Sequence, residues 1–120
     1  MESTDAIGAL SALAQPTRLA AYRLLVSHEP QGLAAGDVAR RLEVPQNTLS
    51  THLAILERAG LIASERQGRS ILYRAELDAI RQLTSFLVSD CCGGRPELCA
   101  PLVAEFTPCC APEEASDVCR

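Results

Sequence analysis

All six cysteines fall in the last thirty residues, as Cys91, Cys92, Cys99, Cys109, Cys110 and Cys119, and the ninety residues before them have none. Whatever those ninety residues fold into must therefore be held by apolar packing, without disulfides or thiol-bound metal. A chain of 120 residues suits one domain with a modest core, and pairing with a second copy would bury more surface. No apolar run approaches the ~20 residues that span a bilayer. The opening MESTDAIGALSALAQPTR lacks the basic start and long apolar stretch of a secretory signal, so the expected location is cytoplasmic, with no membrane partner. In a reducing compartment clustered cysteines are thiols, suited to metal binding or redox sensing more than to stapling a fold.

The first ninety residues read mainly as helix. Ile7, Leu10, Leu13 and Ala14 fall at helical spacing behind the hydroxyls of Ser3 and Thr4, which predicts a helix over 5–14 capped by those hydroxyls. Gln15-Pro16 breaks it, and Pro16 suits the first position of a second helix carrying Leu19, Tyr22, Leu25 and Val26 to His28. Asp37 to Leu42 is a short amphipathic helix with Val38, Ala39 and Leu42 inward, followed by the turn Glu43-Val44-Pro45. A longer helix over 46–59 then turns Leu49, Leu53 and Leu56 inward. Gly60 stops it, and LIASER (61–66) and SILYRA (70–75) read as a hairpin joined across Gln67-Gly68-Arg69. A last helix over 76–89 carries Leu77, Ile80, Leu83, Phe86, Leu87 and Val88, more apolar surface than one face of a small domain exposes, and is the expected interface of a homodimer. The predicted fold class is mainly α with a small β-hairpin (α+β). It assigns 1–90 to DNA binding and dimerisation and 91–120 to a cysteine-rich segment.

The formal net charge of -4 argues superficially against nucleic acid, but it is unevenly spread. Residues 37–74 carry six arginines against four acids, whereas 90–120 carry two against six. The chain has no lysine, so each positive side chain is a planar guanidinium suited to bidentate contact with phosphate or base. On the helix over 46–59, Gln46, Asn47, Thr48, Ser50, Thr51 and His52 are directed partly away from the leucine face. Their amides and hydroxyls can bond base edges and phosphates in a major groove. Arg66 and Arg69 flank a glycine-permitted hairpin tip that can reach phosphates or the adjoining minor groove. Helix, turn, helix and hairpin together make a winged helix-turn-helix, whose partner is double-stranded DNA.

LAQPTRLAAYRLL (13–25), DVARRL (37–42), LSTHLAILERAGLI (49–62) and ERQGRSILYR (65–74) resemble the ArsR/SmtB family of dimeric winged-helix repressors over roughly residues 5–89. The resemblance implies a homodimer on a two-fold operator, with recognition helices about one duplex turn, ~34 Å, apart, released when a soft metal or metalloid binds. Members of that family place inducer ligands at different positions. A Cys-x-Cys arsenic site on the first helix of the helix-turn-helix has no counterpart in Asp37 to Leu42. A zinc site of Asp and His on the last helix has none either, because the only histidines are His28 and His52, leaving Asp78 without an imidazole partner.

The segment Cys91-Cys92-Gly93-Gly94-Arg95-Pro96-Glu97-Leu98-Cys99 is similar to the site of variant arsenic-responsive members, whose three thiols lie just after the last helix. Thiolates are soft ligands, and trivalent arsenic (arsenite) accepts three sulfurs as a pyramid, so Cys91, Cys92 and Cys99 are the expected ligands. Gly93-Gly94 lets the chain reverse between them. Cys109, Cys110 and Cys119 are candidate auxiliary thiols. Three competing readings stay open: sensing of zinc, cadmium or antimony, a thiol redox switch, and a metalloid carrier. No Cys-x-x-Cys pair and no histidine near the thiols speak for an enzyme, and no organic cofactor is expected.

Overall fold

The computed structural model describes residues 1–88. Along them run α1 (Ser3–Leu13), α2 (Pro16–Ser27), β1 (Leu33–Ala34), α3 (Ala35–Leu42), α4 (Gln46–Arg58), β2 (Ile62–Gln67), β3 (Ser70–Ala75) and α5 (Leu77–Val88). The chain divides into two units between Thr84 and Ser85, and the described part of the second is Ser85–Val88.

Local chemistry sets the helix boundaries. α1 starts two residues earlier than its apolar spacing predicts, and its first turn is closed by the Asp5 carboxylate, which accepts from the Glu2 backbone N–H at 3.2 Å. Ser3 and Thr4 lie inside the helix and do not cap it. At α2, Gln15 Oε1 accepts from the Arg18 backbone N–H at 2.8 Å, while Pro16 takes the first helical position as expected. Glu43 closes α3 in the left-handed region at φ 57°, and Glu43-Val44-Pro45 is the whole connection to α4. Gly60, at φ 82°, ends α4 as the sequence predicts.

Leu25, Val38, Leu49, Leu53, Leu56 and Leu61 are fully buried, and among the described residues no charged residue is buried. α4 lies at the centre, packed against α1, α2, α3 and β2. Its three predicted inward leucines are all fully buried. α1 departs from expectation. It buries Ala6, Ala9 and Ala12, while Ile7 is 66% and Leu10 43% exposed. Small side chains on that face let the helix approach its neighbours closely, and the bulkier ones are left outside. On α5, Leu83 is buried and Leu77, Phe86 and Leu87 are exposed.

The sheet has three strands in the order β1-β3-β2, all antiparallel. β1 is two residues long, pairing Leu33 with Tyr73 and Ala34 with Leu72, too short to announce itself by alternation. Just before it Gly32 sits at φ 79°, where a Cβ would lie 2.5 Å from the Tyr73 carbonyl oxygen. Only glycine lets the chain pass β3 this closely. In the hairpin, Gln67 pairs with Ser70, so the loop is the two residues Gly68 and Arg69 rather than three. Gly68 takes the positive φ, 63°, that such a tight connection requires at its first position.

Candidate nucleic-acid interface

α3 and α4 are fixed to one another through the core, so the outer face of α4 is held rigidly. Gln46, Asn47, Thr48, Ser50 and Thr51 are exposed on it, and His52 is half-buried at its flank. This is the distribution the leucine spacing implies, since the three leucines claim the opposite side. Asn47 is partly committed to its own helix: its Oδ1 accepts from the Thr48 backbone N–H at 2.9 Å, satisfying a donor of the first turn that has no intrahelical partner. Thr51 Oγ1 lies 3.4 Å from the Asn47 carbonyl oxygen. Gln46 and Ser50 make no such local bonds.

The hairpin is fastened beside that helix at its base. Ser64 Oγ donates to Glu57 Oε2 at 2.7 Å, joining β2 to the last turn of α4. On the far side β1 pairs with β3. Glu29 Oε2, from the turn after α2, accepts from the Ala75 backbone N–H at 2.9 Å. From this base Glu65 to Ile71 project as an exposed ribbon.

Helix and hairpin enclose an open groove of about 520 Å³ whose walls include Gln46 and Ser50 from α4, Arg69, Ser70 and Tyr73 from the hairpin, and Gly36, Asp37 and Arg40 from α3. Three sequence-predicted residues, Gln46, Ser50 and Arg69, are thus brought together. Asn47, Thr48, Thr51, His52 and Arg66 do not line this groove. Arg66 is exposed on β2, where it pairs in register with Ile71. The groove also takes in Ser70 of the hairpin tip, and it adds Arg40 and the first turn of α3, which residue type and spacing did not single out. Arg40 is ion-paired with Asp37 at the surface, and its spacing from that acid, three residues along a helix, was the available signal. Burial pushes the Tyr73 phenol above its usual range, and the Glu57 carboxylate adds to the shift.

The six cysteines lie outside the described residues. Among the described residues no group of three His, Cys, Asp or Glu side chains could hold a metal ion. The Asp78 carboxylate is taken by Arg81 and by Gln82, whose Nε2 donates to it at 2.6 Å. Those bonds, with the Arg81 charge, hold its carboxyl below the usual range. No described helix is long and apolar enough to cross a membrane.

Two helices joined by a three-residue turn, the second exposed along one face and flanked by a projecting hairpin, define a winged helix-turn-helix, a class of DNA-binding protein. A helix-turn-helix domain family matches residues 13–65. The transcriptional activator HlyU of Vibrio cholerae is 31% identical over 85 residues, which are 71% of this chain and 76% of that protein. The HTH-type transcriptional repressor SmtB of Mycobacterium tuberculosis is 43% identical over 74 residues, 61% of this chain and 53% of SmtB, so about half of that protein's length is matched. Among solved structures, the homodimeric winged helix-turn-helix DNA-binding domain of Mb0332 from Mycobacterium bovis, a possible ArsR-family regulator, superposes with a TM-score of 0.60 at 25% identity, covering 72% of this chain and 78% of that one. The chain belongs to the ArsR/SmtB family of winged helix-turn-helix transcriptional regulators. Fold and relatives are those of DNA-binding regulators, not of enzymes.

Proposed function

We propose that the chain is an arsenite-responsive repressor: a homodimer that occupies a two-fold operator and is released when trivalent arsenic binds Cys91, Cys92 and Cys99. The order of parts along the chain carries this reading. The groove of Gln46, Ser50 and Arg69 comes first, then α5 with Leu77, Phe86 and Leu87 exposed, then, three residues after Val88, the first of the thiols. Exposed Ile7 and Leu10 on α1 and the apolar residues of α5 support pairing of two copies, as does the homodimeric state of the Mb0332 domain. The donor set supports a thiophilic ion, because three thiolates without an imidazole match the valence of trivalent arsenic better than the tetrahedral preference of zinc.

Release requires only that inducer and DNA disfavour one another. A coupling of roughly 1–3 kcal/mol changes operator affinity about 5- to 150-fold, and arsenic affinity by the same factor when DNA is bound. Thiols beside the helix that pairs two copies are well placed in sequence to change the separation of the recognition helices.

The test is binding to a duplex selected from random sequence on the wild-type chain, titrated under reducing conditions with arsenite, methylarsenite, antimonite, zinc and cadmium. Arsenite is expected to release the wild type. Cys91→Ser, Cys92→Ser and Cys99→Ser are each expected to bind the duplex normally and to resist release. Unchanged release in all three variants would overturn the ligand assignment, release by zinc or cadmium alone would identify a different sensor, and release only by an oxidant, in a parallel titration without reductant, a redox switch. Absence of any sequence-selective, salt-sensitive affinity would leave a carrier.

A further inference from the structure

His52 flanks the DNA-facing side of α4, and a residue from another helix reaches it. Arg18 of α2 places Nη1 3.3 Å from His52 Nδ1, while its Nε donates to the Ala12 carbonyl oxygen at the end of α1 at 2.6 Å. One guanidinium thus spans the end of α1 and the middle of α4. A guanidinium has only donors. A hydrogen bond between the two can run only from the guanidinium to an accepting Nδ1, an arrangement that leaves the ring N–H on Nε2. Among the described residues Nε2 makes no hydrogen bond.

We propose that Arg18 is the positioning residue for His52: it fixes the ring as the neutral Nε2–H tautomer and aligns it, so that His52 gives the duplex one directed hydrogen bond, to a phosphate oxygen. This rests on reading α4 as the helix that enters DNA. The half-buried flank position favours phosphate over base, since the groove floor is met by the residues opposite the leucines and the strands of the duplex by those at the sides. The Ala12 bond gives the arrangement its stiffness. With Nε tied to α1, the guanidinium cannot swing away from the imidazole without breaking a second hydrogen bond. His52 is thereby held by the helix corner behind it as well as by its own helix.

Two measurements test this. Long-range nitrogen–proton correlation spectra of the histidine rings are expected to show the neutral form of the wild-type His52 ring as the Nε2–H tautomer, and a mixture of tautomers in Arg18→Gln. Affinity for the selected duplex is expected to fall about tenfold in Arg18→Gln and by a similar factor in His52→Ala, about 1.4 kcal/mol each. The double variant should be no weaker than His52→Ala, because Arg18 acts through the ring. A His52 proton on Nδ1 in the wild type overturns the assignment, and so does an Arg18→Gln penalty that persists in the His52→Ala background. The wild-type spectrum decides the tautomer even if Arg18→Gln does not fold. If the wild type has no salt-sensitive affinity for any duplex, the DNA reading fails, and the phosphate bond with it, while the spectra separately decide what Arg18 does to the ring.

Discussion

Tyr22 carries its phenol into the core, where the hydroxyl is buried without a hydrogen-bond partner among the described residues. An unpaired buried hydroxyl costs its desolvation and gains nothing in return. Tyr22→Phe should therefore leave stability unchanged or raise it by up to about 1 kcal/mol in denaturant melts, where a core truncation would lower it. The same burial, aided by the Glu29 carboxylate, raises the phenol's pKa in the fold. Because the folded group holds its proton more tightly than the unfolded one, its contribution is fully present below the unfolded value of about 10 and is lost as pH rises through the folded value. Alkaline melts of the wild type should weaken in that window, and Tyr22→Phe should remove part of the weakening; an identical alkaline profile would contradict it. The inward position of Tyr22 was legible from its spacing with Leu25. Its missing partner was not, since that depends on what α5 and the turn after α2 bring to the same place.

At the scale of elements, the helix-turn-helix was the most legible part of the chain, because Val38, Ala39, Leu49, Leu53 and Leu56 announce both helices and Pro45 marks the start of the second. The conformation inside the turn was hidden: Glu43 is in the left-handed region, where a β-carbon costs about 1 kcal/mol or more. Glu43→Gly should stabilise the fold by about 0.5–1 kcal/mol despite the greater freedom of glycine in the unfolded chain, measured as a higher denaturation midpoint with unchanged slope. α1 was misread for a different reason. Ile7 and Leu10 are the stronger hydrophobes, but Ala6, Ala9 and Ala12 fill the inner face, because helix separation is decided by the smallest side chains that fit between backbones. β1 and the first turn of α3 were missed because two residues carry no period. Of the groove between helix and hairpin, Gln46, Ser50, Arg69 and Ser70 were legible from residue type and position, while Arg40 joins it only through the fold.

For the whole molecule, the bond between Ser64 and Glu57 and the pairing of β3 with strands on both sides fasten the hairpin to the reading helix at its base. One copy then has no hinge between the two parts that would meet DNA. If an inducer loosens a dimeric complex, the freedom it uses lies in the angle and spacing of the two helix-and-hairpin surfaces. The proposed regulator should accordingly lose affinity for a complete two-fold site when arsenite binds, while its much weaker affinity for a duplex bearing a single half-site stays the same. Equal losses on both duplexes, measured by fluorescence anisotropy at matched salt, would show that the reading surface itself is altered. A dimer of such units would measure distance: its switch would be a calliper whose jaws, helix and hairpin, stay rigid while the gap between them changes.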